Sequence, residues 1–157
     1  MSDLSHVGPG GEARMVDVSA KAVTARMARA SGTIRMQATT LRAIRDNALA
    51  KGDVIAVARV AGVFAAKRTA ELIPLCHPLP LTDVQIALTA DDALPGLRAE
   101  AIVRTTAQTG VEMEAITAVA VTLITVYDMA KSADKSMQIN DIRLEEKTGG
   151  SSGSSGG

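Results

Sequence analysis

The chain has 157 residues, the length of one ordinary domain, and 46% of them are apolar, which excludes an intrinsically disordered protein. Its 17 Lys and Arg balance 17 Asp and Glu, and only Phe64 and Tyr127 are aromatic. This composition excludes a strongly basic nucleic-acid binder and a base-stacking platform for single strands.

The ends of the chain are rich in Gly, Pro and Ser. We predict a flexible N-terminal arm at residues 1–14, one domain at 15–148 and a Gly/Ser-rich flexible tail at 149–157. The N-terminus lacks a basic segment followed by an apolar run, and no 18-residue apolar stretch occurs. Since the single cysteine cannot form an internal disulfide, we expect a cytoplasmic protein without a membrane span.

The first half of the domain predicts a strand followed by two helices. Apolar and polar residues alternate over 21–36, which indicates a strand with a bend near Ser31 and Gly32. A short helix through residue 48 can be capped by Thr39 or Thr40. A second helix, capped by Asp53, is expected to reach about residue 72.

The second half predicts two strands, a long helix and a last strand. The strands are expected at 84–89 and 97–105, joined by a turn at 91–96, followed by a helix over 111–131 and a strand over 137–145. This order is that of a split βαβ unit. We therefore expect an α+β, ferredoxin-like fold whose antiparallel sheet packs with helices.

The segments VIAVARVAGVFAAK and AITAVAVTLITVYDM are apolar almost all the way round, unlike ordinary surface helices. Small residues along them would allow another element to approach closely: Ala58, Ala61, Gly62, Ala118 and Ala120. This pattern predicts contacts between subunits of a homo-oligomer. The simpler interpretation is that both helices lie in the centre of the core.

Three prolines surround Cys76 and His77 in LIPLCHPLPL, which predicts a stiff loop. On such a loop His77 can exchange a proton near neutral pH, or it can simply be a hydrogen-bonded turn residue. Cys76 is better explained as a buried, inert thiol than as a nucleophile.

Two further groups of charged residues lie at the ends of the long predicted helix. A Thr-Gly turn precedes its start, where free backbone N–H groups can bind an anion; Glu112 and Glu114 compete with such binding, and the simpler interpretation is that they favour helix initiation. Asp128 and Lys131 have i, i+3 spacing near its end and therefore share one face. If that end is shielded from water, burial makes the pair a candidate acid and base; otherwise it is a surface ion pair.

The segments ARMVDVSAKAVTARMARASG, KGDVIAVARVAGVFAAKRTAELIPLCHPLPL, TGVEMEAITAVAV and YDMAKSADK together closely resemble the cyclic pyranopterin monophosphate synthases, the molybdenum cofactor biosynthesis protein C family. The likeness runs from about Ala13 to Gly150. It implies a homohexamer, a trimer of dimers, with active sites between subunits. It also implies a lyase that converts a GTP-derived cyclo-dihydro nucleotide triphosphate, made by an upstream radical enzyme, into cyclic pyranopterin monophosphate and pyrophosphate.

The resemblance also implies roles for individual residues. Asp128 and Lys131 look like the catalytic pair, and Lys51 resembles a further catalytic or anchoring lysine. The other matching positions are implied to contact the substrate: Leu75, Cys76, His77, Met113, Glu114, Glu112, Lys21 and Arg26. Of these, Lys21 and Arg26 of the first predicted strand are implied to bind its phosphates.

The chain departs from the family pattern at two places. Ala107-Gln108 stands where Gly-Lys is usual, and Ser151 replaces a usual Lys near the C-terminus. We expect activity to survive both changes.

Mg²⁺ is a candidate for accompanying the pyrophosphate, because it commonly binds phosphates with few protein ligands. A non-catalytic oligomeric sensor of a phosphorylated purine or pterin is the alternative function.

Overall fold

The structure, a computed structural model, describes residues 7–150 and the backbone of the pair 155–156. Parts of the predicted arm at 1–14 and tail at 149–157 lie outside the described residues, so both stay predictions. The elements are β1 (Thr24–Arg35), α1 (Ala38–Arg45), α2 (Val54–Lys67), α3 (Thr69–Leu72), β2 (Leu81–Asp91), β3 (Gly96–Ala107), α4 (Glu112–Ala130), β4 (Gln138–Thr148) and β5 (Ser155–Gly156).

The strands form one antiparallel sheet in the order β2-β3-β1-β4-β5. β3 lies between β1 and β2, which is the split βαβ arrangement, so the expected α+β fold is confirmed. The ladder between β1 and β4 shifts register between Arg29 and Ala30 and again between Ser31 and Thr33. The predicted bend near Ser31 is therefore present as an irregularity in strand pairing.

Helix α4 packs against the centre of the sheet because the strand residues below it are small. Ala28 and Ala30 of β1 are fully buried, and a Cβ atom on Gly32 would lie 2.9 Å from Val119 and 3.0 Å from Leu123. By length and composition α4 could cross a membrane, yet its buried residues pack in the domain core. It is therefore the central core helix of this fold.

The small residues of α2 bring it close to α4 of the same chain. Ala58 and Ala118 are fully buried, and a Cβ on Gly62 would clash with the Thr122 hydroxyl. These residues therefore explain a helix pair within the chain, not the subunit contact for which the sequence pattern was used. Large apolar side chains remain exposed on the outer side of the two helices: Val57, Val60, Phe64 and Ile124.

Two predictions about helix ends are wrong. Neither Thr39 nor Thr40 caps α1: its N-cap is Gln37, whose backbone N–H donates to Asp134 Oδ2 at 2.9 Å. Thr40 Oγ1 donates to the same carboxylate oxygen at 3.0 Å. A carboxylate from a distant part of the sequence thus supplies the cap, so the helix needs none of its own.

The expected helix from residue 53 to 72 is two helices. Asp53 caps α2 as predicted, accepting a hydrogen bond from the backbone N–H of Ala56 at 3.0 Å. The chain then leaves helical geometry at Arg68, and the Thr69 hydroxyl donates to the carbonyls of Ala65 and Ala66. The helix is interrupted here because the Thr69 hydroxyl bonds to carbonyl oxygens that would otherwise accept hydrogen bonds from the next helical turn.

Candidate active site

The structure brings the predicted catalytic residues Lys51, Asp128 and Lys131 together, and we call them the lysine cluster. Lys51 lies in the segment between α1 and α2, and its Nζ donates to Asp128 Oδ2 at 3.0 Å and to the Asp128 carbonyl at 3.3 Å. Lys131 follows α4 directly, and its Nζ lies 3.0 Å from Asp128 Oδ1. One carboxylate therefore holds two ammonium groups, one on each oxygen.

The lysine cluster is open to solvent in the single chain. The side chains of Asp128 and Lys131 are 53% and 52% exposed. The hydrogen bond from Lys51, and then that from Lys131, holds the pKa of Asp128 below its usual value. The burial considered for this end of the helix is absent from the chain by itself, so nearby charge, and not desolvation, perturbs the carboxylate.

The expected substrate contacts meet in a cleft of about 540 Å³ at the other end of α4. Its walls come from the segment before β1, the loop between α3 and β2, and the start of α4. Among its lining residues are all but one of the expected substrate contacts: Lys21, Leu75, Cys76, His77, Glu112, Met113 and Glu114. A larger groove of about 640 Å³ between α2 and β2 contains none of the predicted site residues.

His77 lies on the irregular loop that the three prolines predict, and it joins two walls of the cleft. Its Nε2 lies 2.6 Å from the carbonyl oxygen of Val16, so this nitrogen carries a proton and donates. The histidine thus fixes the segment before β1 against the loop after α3. His77 is thus a hydrogen-bonded loop residue that also lines the cleft, and its proton exchange stays a prediction.

Cys76 has the properties of an inert thiol. Burial, followed by the neighbouring Glu114 carboxylate, raises the pKa of Cys76 to about 11. The thiol lies 3.8 Å from Glu114 Oε2 and donates a weak hydrogen bond to it. A thiol in this environment is protonated at neutral pH and is therefore a poor nucleophile.

The two acidic residues at the start of α4 have different environments. Glu114 is only 3% exposed; burial raises its pKa, and its Oε1 has no hydrogen-bond partner among the described residues. Burial also opposes ionisation of Glu112, but a 2.8 Å hydrogen bond from Lys147, a backbone hydrogen bond and the charges of Lys147 and Arg26 together outweigh it and keep the pKa of Glu112 below its usual value. Glu114 is therefore the carboxylate with an oxygen left for a ligand.

Arg26 is the expected substrate contact that the structure does not place in the cleft lining. Its Nε donates to the Ala107 carbonyl at 3.0 Å, and its Nη2 donates to the carbonyls of Gln108 at 3.2 Å and Ala22 at 3.4 Å. The guanidinium thus fastens the start of β1 to the end of β3. A role in phosphate binding stays a prediction for this residue.

The cleft and the lysine cluster lie at opposite ends of α4. Glu114 and Asp128 are 14 positions apart on one helix, which corresponds to about 21 Å along its axis. Within one chain, therefore, the two groups cannot contact the same atoms of a small molecule.

Some site residues carry no sequence signal of their own. Val16 and Val18 line the cleft, but they belong to a short irregular segment before the predicted strand, for which no motif predicts a function. Gln108 stood out as a departure from the family pattern, although its contacts could not be predicted.

Over residues 7–150 no group of three His, Cys, Asp or Glu side chains could hold a metal ion, and the Mg²⁺ expectation stays a prediction.

Comparisons with known proteins identify the family of this chain. A sequence model of the MoaC family matches residues 15–150. Proteins named cyclic pyranopterin monophosphate synthase from Cereibacter sphaeroides and Dinoroseobacter shibae are each 58% identical to this chain over 153 residues, with 98% of the chain and 96% and 97% of those proteins covered. The protein of that name from Nostoc sp. is 56% identical over 152 residues, or 97% of the chain and 90% of its own length. The chain belongs to the MoaC family.

Proposed function

We propose that this chain is a cyclic pyranopterin monophosphate synthase, a lyase of molybdenum cofactor biosynthesis. Its substrate is (8S)-3′,8-cyclo-7,8-dihydroguanosine 5′-triphosphate, and its products are cyclic pyranopterin monophosphate and pyrophosphate. The observation that carries the proposal is the pairing of Lys51 and Lys131 on the single carboxylate of Asp128. A protein that only bound the nucleotide would need cations, but not an oriented acid–base group.

We further propose that the complete site forms between subunits of a homohexamer. The helix separates the lysine cluster from the cleft by about 21 Å, so a second copy must bring its cluster to the cleft of the first. The exposed residues Val60, Phe64 and Ile124 give the helix layer an apolar surface for contacts between copies. Assembly would also shield the exposed lysine cluster from water.

The cleft has the chemistry to hold the ring system of the substrate. The unpaired Glu114 oxygen is buried, and a buried acceptor without a partner is costly unless a ligand donates to it. The N–H groups of a guanine-derived ring are suitable donors. Lys21 lies at the same cleft and supplies a positive charge for the phosphates.

The lysine cluster has the chemistry to move protons and stabilise phosphate. The purine-derived ring must be opened and rebuilt as a pterin, and a ribose-derived hydroxyl then forms a bond to the α-phosphorus while the bond to pyrophosphate breaks. Asp128 has a lowered pKa and stays ionised, so its role is to orient the two lysines. The lysines exchange protons with the substrate and balance the charge that develops on departing pyrophosphate.

The test is to supply the cyclised nucleotide triphosphate from the upstream radical enzyme and to measure pyrophosphate and pterin together. The wild-type chain is compared with Asp128→Ala and Lys131→Ala, and Lys135→Ala serves as an exposed lysine control four positions away. We expect both products from the wild type and the control, and neither from the two site variants, with the oligomer intact.

Two results would contradict the proposal. Near-normal turnover by Lys131→Ala would remove this lysine from the mechanism. Tight nucleotide binding by the wild type without release of either product would instead favour the sensor, and the replacement of the usual lysine by Gln108 would be the first difference to reverse.

A further inference from the structure

Gln108 connects two walls of the cleft through its side chain. It lies between the end of β3 and the Thr109-Gly110 turn, and its Nε2 donates to the backbone carbonyls of Ser19 at 3.3 Å and Lys21 at 3.2 Å. Thr109 and Gly110 line the cleft on one side, and Lys21 lines it on the other. One amide group therefore sets the position of Lys21 relative to the opposite wall.

Backbone pairing does not hold this part of the chain. The ladder between β1 and β3 ends at the pair Thr24 and Ala107, so residues 19–21 lie beyond it. Arg26 fixes the carbonyls of Ala107 and Gln108 from the strand side. The backbone from which the Gln108 side chain extends is therefore itself held to β1.

Three other side-chain contacts hold the segment around Lys21, and one of them is adjacent to it: Arg26 Nη2 donates to the Ala22 carbonyl at 3.4 Å. His77 bonds to the carbonyl of Val16, and Asp17 accepts a hydrogen bond from the Ser19 N–H within the segment itself. Neither contact fixes residues 20 and 21 to another element. Gln108 is the side chain that bonds to the carbonyls of Ser19 and Lys21 themselves, and it holds them to the end of β3.

We infer that Gln108 is a positioning residue that holds Lys21 at the cleft for substrate phosphate. The identity of the ligand rests on the proposed function, whereas the positioning of residues 19–21 by Gln108 does not depend on it. Because Gln108 acts on the backbone carbonyl of Lys21, its removal should weaken substrate binding and leave the chemical step, which belongs to the lysine cluster, unchanged.

The kinetic test is a double-mutant cycle in the coupled assay. We expect Gln108→Ala to raise KM about tenfold, as two lost hydrogen bonds imply, with kcat nearly unchanged. In a Lys21→Ala background the same change should raise KM less than about twofold, because the residue through which it acts is gone. Gln108→Lys keeps a donor within reach and should retain a low KM, whereas Gln108→Glu, with no donor, should resemble Gln108→Ala.

The structural test needs no substrate. Trypsin cleavage at the Lys21–Ala22 bond, followed by mass spectrometry on the assembled protein, should be about tenfold faster in Gln108→Ala than in the wild type. Gln138→Ala, an exposed glutamine at the start of β4, is the matched control and should behave like the wild type.

Two results would overturn the inference. One is a KM of the double variant that rises by the product of the two single-variant increases, which would show that Gln108 and Lys21 act independently. The other is a rate of cleavage after Lys21 that is the same in Gln108→Ala as in the wild type. Because the cleavage test is independent of substrate identity, it decides the positioning of Lys21 even if the wild type formed no pterin. That failure would overturn the proposed function alone.

Discussion

Lys51 and Asp128 are 77 positions apart in the sequence, yet the Lys51 ammonium group lies 3.0 Å from the Asp128 carboxylate and also donates to the Asp128 carbonyl. The contact joins the segment before α2 to the end of α4. It therefore fixes, within one chain, the relative position of two loops that carry the proposed proton-transfer groups.

Removal of Lys51 should affect catalysis far more than stability. We expect Lys51→Ala to lower kcat by about 100-fold or more, since it removes a positioned proton-transfer group. Because the ion pair with Asp128 is exposed, its loss should change the free energy of unfolding very little. Arg45→Ala is the control, because it breaks the exposed pair with Asp92 at 2.6 Å far from both groups of site residues. Equal activity of the two variants would contradict the assignment of Lys51.

A shared site predicts that two inactive variants can restore activity when they are mixed. We expect His77→Ala, which alters the cleft, and Lys131→Ala, which alters the lysine cluster, each to be inactive. After subunit exchange, random assembly of equal amounts should give about a quarter of the sites both intact halves. Native mass spectrometry checks the exchange, and mixed oligomers without activity would show that each site is built from one chain.

Cys76 should react slowly with alkylating reagents at neutral pH. With its pKa raised to about 11 by burial and by Glu114, less than about one thiol in a thousand is ionised at pH 7.5. The chain contains one cysteine, so the iodoacetamide reaction reports this site alone. We expect Glu114→Gln to lower the thiol pKa and speed the reaction at pH 8. A folded chain that reacts as fast as the urea-unfolded chain would contradict this environment.

Asp134 should make stability depend on pH in the acid range. It is 3% exposed and accepts hydrogen bonds from Ser136 as well as from the start of α1. Burial opposes its ionisation, but hydrogen bonds led by that of the Ser136 hydroxyl hold its pKa below the usual 3.8. A lowered pKa stabilises the folded state above pH 3.8, and this contribution is lost as the pH falls through the folded pKa.

Replacement of Asp134 tests that linkage. We expect Asp134→Ala to lower the free energy of unfolding at pH 7 by about 1–3 kcal/mol, because it leaves buried donors without an acceptor. The loss should shrink as the pH is lowered below 3.8, which urea titrations at several pH values would measure. Asp46→Asn, at the exposed end of the same helix, is the control. A loss that is independent of pH would mean that the carboxylate charge is not the stabilising feature.

Local spacing was sufficient to predict part of the site. The i, i+3 spacing placed Asp128 beside Lys131, and the prolines around His77 predicted an irregular loop. Lys51 could be added only through the family resemblance, because no local pattern reports a contact across 77 positions. The order of strands and helices predicted the sheet because each element carries its own hydrophobic period.

The errors have a common physical origin. Thr40 was expected to cap α1, but a distant carboxylate satisfies that helix end, and capping preferences describe only local partners. The small residues of α2 and α4 were expected to let another element approach, and for Gly62 that element is α4 of the same chain, while the inferred subunit contact stays a prediction. In both cases a tertiary contact decides a feature that local sequence leaves open.

The length of α4 has a consequence for how this chain can vary. One inserted or deleted residue between Glu114 and Asp128 would rotate the far end of the helix by about 100° and shift it by about 1.5 Å. Asp128 would then turn away from Lys51, and in the proposed shared site the spacing between the two halves would change as well. The number of residues in this helix is therefore a requirement of the site that is separate from the identity of its side chains.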